Sequence, residues 1–331
     1  MDQFNSYLDQ AVEREASDIY FVSKQRPSAK IHGSLETLDT KDVDPDLLAE
    51  FVFNILPTDE SKEKVAQGYE FDIIYTYNET RFRTNIHLQQ GMFALSIRII
   101  ATKIPTPEFL GFPPVIHKFA QLKKGLILLT GSTASGKSSV IASIINMINS
   151  ERKSHIITIE DPIEFIYPEK ESIIEQRQIG VDSHSFYDAL RASFRQDPDV
   201  VMIGELRDVE TIETALMAAE TGHLVLATLH SSSTVESIER IVNMFPAVQS
   251  QQILNQLSSN LVSVVSRELL KKKEGGRIAS YEIMINTPAV SSLIREHRLA
   301  NIFSVMQMGA KDGMITMAQS KADLRSKNLI E

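Results

Sequence analysis

The chain has 331 residues, 43% of them hydrophobic and 23% charged, and 43 acidic against 34 basic residues give a net charge of −9. That length corresponds to about two domains, and the acidic balance disfavours nucleic acid as a main partner, because duplex binding draws on a basic surface. With no cysteine, disulfides, thiolate zinc sites and cysteine nucleophiles are excluded.

The opening "MDQFNSYLDQ" is polar and acidic, unlike a signal peptide. No apolar run approaches the ~20 residues needed to cross a bilayer, so a soluble, cytoplasmic protein without membrane insertion is expected. Residues 2–15 read as a short helix, and "SDIYFV" and "AKIHGSL" as strands. "DPDLLAEFVFNIL" reads as a helix with Asp44 or Asp46 near its start. "FDIIYTYNETRFRTNIHL" reads as two strands around a turn at Asn78-Glu79, and "FALSIRII" as one more strand. A small α+β domain over residues 1–102 is the expectation. Within "TRFRTNIHL" a period of two places Arg81, Arg83, Asn85 and His87 on one face. That face reads equally as a salt-bridged strand surface or as a guanidinium source for anionic charge.

"KIPTPEFLGFPPV", residues 103–115, holds Pro105, Pro107, Pro113 and Pro114, four of the twelve prolines. Proline fixes its own φ and biases the residue before it away from helix, so an extended, stiff linker and a hinge are expected there. Beyond it, strands alternate with helices: "GLILLTG", "HIITIE", "PDVVMIG" and "HLVLATLH" are the apolar strands. Asp208 is placed to cap the helix of "DVETIETALMAAE", and Ser233 and Glu236 stand at capping-box spacing. Over residues 116–331 this implies an α/β domain with a mostly parallel sheet, covered on both faces.

The strand "GLILLT" stops at Gly131-Ser132-Thr133-Ala134-Ser135-Gly136-Lys137-Ser138, followed by Ser139 and a helical pattern. This satisfies G-x-x-x-x-G-K-S/T in the strand–loop–helix setting that the phosphate-binding loop requires. Inward-facing amides and the positive end of the helix suit a chain of phosphates. Lys137 would reach the β- and γ-phosphates of ATP, and Ser138 would offer a hydroxyl to Mg²⁺. "DVVMIGELRD" ends a strand in Gly204-Glu205, where an acid can hold the magnesium or cap the next helix. "HIITIEDPIEFIY" ends a strand in Glu160-Asp161-Pro162, with Glu164 four residues beyond Glu160. An acid there can deprotonate an attacking water or simply form an acidic turn. His223 and His230 flank one strand, so both line one small site only if the second comes from another subunit.

Together these motifs resemble the PilT-like retraction ATPases of type IV pili, within the secretion ATPase superfamily. The loop, the acidic box "TIEDPIEFIY", "RQDPDVVMIGELRD" and the histidine box "AETGHLVLATLHSSST" stand in the family's order. The similarity extends from "ASDIYF" to "GRIASYEIMINTPAVSSLIRE". It implies a PAS-like N-terminal domain, a RecA-like ATPase domain, and a homohexamer that couples hydrolysis of ATP with Mg²⁺ to pilus disassembly. A platform protein of the inner membrane is the implied partner, at whose cytoplasmic face the ring would dock. By the same resemblance Glu164 is the catalytic glutamate, Glu205 the Walker B glutamate, and His230 and His223 the histidine-box residues. Arg81, Arg83 and Arg98 match basic residues presented to nucleotide.

The chain departs from the family's usual proline and glycine at Ser132 and Ala134. It also alters the first half of the retraction sequence, here Ala289-Val290-Ser291-Ser292-Leu293-Ile294-Arg295-Glu296. The absence of cysteine disfavours extension ATPases, which typically carry a four-cysteine zinc site. A secretion or assembly ATPase of the same superfamily, a P-loop phosphotransferase and a nucleotide-binding regulator are the alternatives.

Overall fold

Two patterns of apolar residues build two kinds of sheet. A strand such as Thr80–Gln89 alternates buried with half-buried side chains, as one covered face requires, whereas Gly125–Thr130 and Leu224–Leu229 are buried throughout. The computed structural model describes residues 2–100 and 103–331, so the domain end expected at residue 102 lies outside the described residues. The chain divides into two units, Met1–Lys103 and Ile104–Glu331.

The first unit carries strands β1 (Ala16–Val22), β2 (Ser28–Ile31), β3 (Ser34–Thr37), β4 (Phe71–Tyr77), β5 (Thr80–Gln89) and β6 (Met92–Ile100). They form an antiparallel sheet in the order β3-β2-β1-β6-β5-β4. Helices α1 (Asp2–Glu13), α2 (Pro45–Ile55) and α3 (Asp59–Ala66) complete the unit. Phe4, Leu8, Leu48 and Phe51 of the helices share a core with Ile19, Phe21, Phe82 and Ile86 of the sheet. Asp44 caps α2 by accepting from the Asp46 and Leu47 amides. Asn78 and Glu79 both have positive φ, 46° and 62°, as a tight two-residue hairpin turn requires.

The second unit carries β7 (Gly125–Thr130), β8 (His155–Glu160), β9 (Ile173–Gln178), β10 (Val200–Ile203), β11 (Leu224–Leu229), β12 (Leu261–Lys271) and β13 (Arg277–Ile285). Their order is β13-β12-β7-β11-β10-β8-β9. Strand β13 runs antiparallel to β12, and the other neighbours are parallel. The helices begin with α4 (Pro107–Leu110), α5 (Pro114–His117), α6 (Lys137–Glu151), α7 (Phe186–Ser193), α8 (Val209–Glu220), α9 (Thr234–Met244) and α10 (Ser250–Asn260). Successive strand residues go to opposite faces, and two cores result. Leu126 and Leu128 of β7 meet Leu190, Leu216, Ile241 and Leu257 from α7 to α10. Ile127 and Leu129 of the same strand meet Val140, Ile144 and Ile148 of α6 on the other side.

The proline-rich stretch corrects one expectation. Residues 103–115 were expected to be an extended linker, yet they hold the short helix α4 and the start of α5, and all from Ile104 on belong to the second unit. Pro107 and Pro114 stand at the start of those helices, where a missing N–H costs nothing. Leu110, Phe112, Ile116 and Phe119 are buried in the core that holds α6. The Tyr281 hydroxyl of β13 donates to the Leu110 carbonyl at 2.8 Å. Apolar residues interleaved with prolines thus made a docking segment, and the prolines marked helix starts. The same contacts tie Pro107–Pro114 to the second unit rather than leaving it as a free connector.

Candidate active site

Strands β7, β11, β10 and β8 are adjacent, and their C-terminal ends carry the predicted motifs side by side. The loop after β7 needs left-handed backbone: φ is 143° at Gly131, 61° at Ala134 and 83° at Gly136. Glycine is required at the first and last for a second reason. A Cβ on Gly131 would lie 2.4 Å from the Arg267 carbonyl oxygen, and one on Gly136 would lie 1.8 Å from Arg267 Nη1. Helix α6 starts at Lys137 with no side chain capping it, so its first-turn amides are left for a ligand. Ser135 Oγ is buried without a hydrogen-bond partner. An amide cradle, an uncapped helix start and an orphaned hydroxyl fit a chain of phosphates.

Ala134 holds the left-handed conformation expected to suit glycine. An L-residue there carries about 1–2 kcal/mol of backbone strain, whereas glycine forfeits about 0.4–1 kcal/mol of unfolded-state advantage. Ala134→Gly is therefore expected to raise the melting temperature by up to about 3 °C, the shift that up to about 1.6 kcal/mol gives a chain of this size. Differential scanning calorimetry reads it, and a lowered melting temperature would contradict the strain.

Lys137 is 8% exposed. Its ammonium donates to the carbonyls of Gly131 at 2.8 Å and Ser132 at 3.0 Å, and stands 3.5 Å from His230 Nδ1. Burial holds its pKa below the usual lysine range, against the opposing pull of the Glu205 and Glu164 carboxylates. Both predicted acids therefore act on the same ammonium. His230 is held below the ordinary imidazole range, first by burial and then by the Lys137 charge. Its Nδ1 faces Lys137 and its Nε2 stands 3.4 Å from Glu205 Oε1, so the ring bridges the lysine and the carboxylate. Glu205 Oε2 also accepts from Arg207 Nε at 2.7 Å. Asp208 caps α8 through the Thr211 amide, so Glu205 is not needed for that purpose.

The acidic box sorts into two roles. Glu160 is buried, accepts from Thr158 at 2.7 Å and Gln176 at 3.1 Å, and is pushed above the carboxylate range by burial. It belongs to the sheet. Glu164 lies half-buried beyond the cis Asp161-Pro162 bond and faces Lys137 electrostatically. Ser233 caps α9 through the Glu236 amide, as expected, but the Glu236 carboxylate returns to the Ser232 amide at 2.8 Å.

His223 is not brought to this cluster within the chain. It precedes β11, at the opposite end of that strand from His230, and six strand residues at about 3.3 Å each separate the two. Its Nδ1 lies 3.0 Å from the Ala218 carbonyl and 3.2 Å from Thr221 Oγ1, closing the end of α8. In the first unit Arg83 is paired directly opposite Arg98 across β5 and β6, with Arg81 two residues away on the same face. Like charges in that position repel, and Asp18 pairs with Arg98 at 2.9 Å.

Two features were missed in the sequence. Thr130 Oγ1 donates to the Ser231 carbonyl at 2.8 Å and accepts from the Ser231 amide at 3.1 Å, joining the ends of β7 and β11. Arg267, 6% exposed on β12, contacts the phosphate loop from behind. A charged residue inside the apolar run "LVSVVSRELL" was the available signal.

The profile of the Type II/IV secretion system protein family matches residues 2–325. The chain belongs to this family. Among its relatives, the type IV pilus retraction ATPase PilT of Pseudomonas aeruginosa is 37% identical over 321 residues, 97% of this chain and 93% of that protein. A twitching motility protein of Neisseria gonorrhoeae is 41% identical over 309 residues, 92% of this chain and 82% of its own length. The crystal structure of the pilus retraction motor PilT with bound ADP superposes with a TM-score of 0.92 at 40% identity, over 99% of this chain and 94% of that one. The secretion-protein fold is thus an antiparallel N-terminal sheet followed by a mostly parallel P-loop sheet. Among the described residues no helix is long and apolar enough to cross a membrane.

Proposed function

We propose that the chain is a homohexameric motor ATPase that drives type IV pilus retraction. The observation that carries this reading is the line of Lys137, His230, Glu205 and Glu164 at four neighbouring strand ends, in a chain closely similar to an ADP-bound retraction motor. Residues Gly131 to Ser139 hold the phosphates of ATP. The Lys137 ammonium exchanges the Gly131 and Ser132 carbonyls for β- and γ-phosphate oxygens. Ser138 and Glu205 would hold Mg²⁺, which would supply neutralisation of the charge that develops on the phosphates.

Glu164 accepts the proton of the attacking water. His230, with Nε2 3.4 Å from Glu205 Oε1, positions that carboxylate. The arginine face of the first unit is assigned to anionic charge on the nucleotide. A platform protein at the membrane takes the force.

Purified protein supplied with ATP and Mg²⁺ is expected to release inorganic phosphate, at a specific rate that climbs with protein concentration as rings assemble. Light scattering run in parallel with a phosphate assay measures both. Label passed to an acceptor molecule, or equal turnover by dilute monomer, would count against the motor.

A further inference from the structure

Register places Arg267 behind the phosphate loop. Ser266 of β12 pairs with Thr130, the last residue of β7, so Arg267 stands beside the first residue of the loop. Its Nη1 donates to the carbonyls of Ser135 and Gly136, each at 2.9 Å. Those carbonyls belong to the peptide groups whose N–H donors are Gly136 N and Lys137 N, the junction of loop and α6. The Tyr281 ring, its cross-strand partner, lies 5.8 Å from the guanidinium carbon. Among the described residues no carboxylate pairs with this buried cation.

We infer that Arg267 is a positioning residue for nucleotide binding: it fixes two peptide planes of the phosphate loop and polarises their N–H donors toward the anion. A carbonyl that accepts from a cation makes the N–H of the same peptide group a stronger donor. Charge-assisted donors are also the stronger ones, and the planar, preorganised guanidinium holds both carbonyls from one side chain. Steric fit agrees, because Gly131 and Gly136 leave the room that Arg267 occupies. The hydrogen bonds of the buried guanidinium go from Nη1 to the two loop carbonyls. The inference rests on residues 131–139 being the phosphate site.

The test uses the full-length protein with Arg267→Gln and Arg267→Lys, titrated calorimetrically with ADP and with inorganic tripolyphosphate, and melted without ligand. For Arg267→Gln both affinities are expected to fall alike, by about tenfold, the size of one charge-assisted hydrogen bond. Arg267→Lys keeps the cation and is expected to fall between wild type and Arg267→Gln. It also carries the test if Arg267→Gln does not fold. Unchanged affinities with a lowered melting temperature would overturn the inference and leave Arg267 a support of the fold. A loss confined to ADP would overturn it too, since the effect would lie away from the phosphates. Wild-type protein that bound neither ligand would instead remove the phosphate site itself.

Discussion

Lys137→Ala is expected to lower phosphate release by at least about 100-fold, the loss that follows removal of one preorganised charge-stabilising donor. The ammonium is the only cation in contact with the Gly131 and Ser132 carbonyls among the described residues, and it offsets both Glu205 and Glu164. Without it two carboxylates face a phosphate chain with no lysine charge between them, so ADP affinity is expected to fall as well. The fold is expected to survive, because the lost bonds are to loop carbonyls and the hydrophobic contacts of α6 stay in place. Circular dichroism, a phosphate assay and calorimetric titration separate these effects. In cells, the same substitution is expected to leave pili on the surface and abolish twitching. Loss of pili would assign the motor to assembly.

Glu164→Gln is expected to cut turnover by about 10²- to 10⁴-fold, the range of a general base, while ADP still binds. The neighbouring acid supplies the contrast. Glu160→Gln should keep most of its activity, because that carboxylate is already tied to Thr158 and Gln176 and takes no proton from water. Single-turnover phosphate release, with nucleotide binding measured separately, reads both variants. If Glu160→Gln were dead and Glu164→Gln active, the two carboxylates would exchange roles.

Local order was legible wherever a residue acts on its own segment. The phosphate loop, the caps at Asp44, Asp208 and Ser233, and the turn at Asn78-Glu79 are set by neighbours a few positions away. The four strand ends were legible too, since a parallel α/β sheet gathers its functional residues at one edge. Long-range pairing was not. Arg267 meets the loop across 132 positions, and only the register of β12 against β7 brings them together. The proline stretch misled for a related reason. Proline restricts backbone in both a linker and a first helical turn, and the burial of Leu110 and Ile116 decides between them. Glu160 and Glu164 differ by which one the sheet absorbs, a matter of the β8–β9 pairing that places Gln176 nearby.

The second unit's sheet keeps the helix that opens at Lys137 apart from the helices that follow Glu205 and His230. Val140, Ile144 and Ile148 root α6 on one face, while Ile212 and Leu216 of α8 and Ile238 and Ile241 of α9 pack on the other. A nucleotide bound across those strand ends, as proposed, would touch residues rooted in both layers. Departure of its terminal phosphate would slacken the grip on α8 and α9 while α6 kept its hold, and the imbalance would be relieved as sliding of one helical layer past the other.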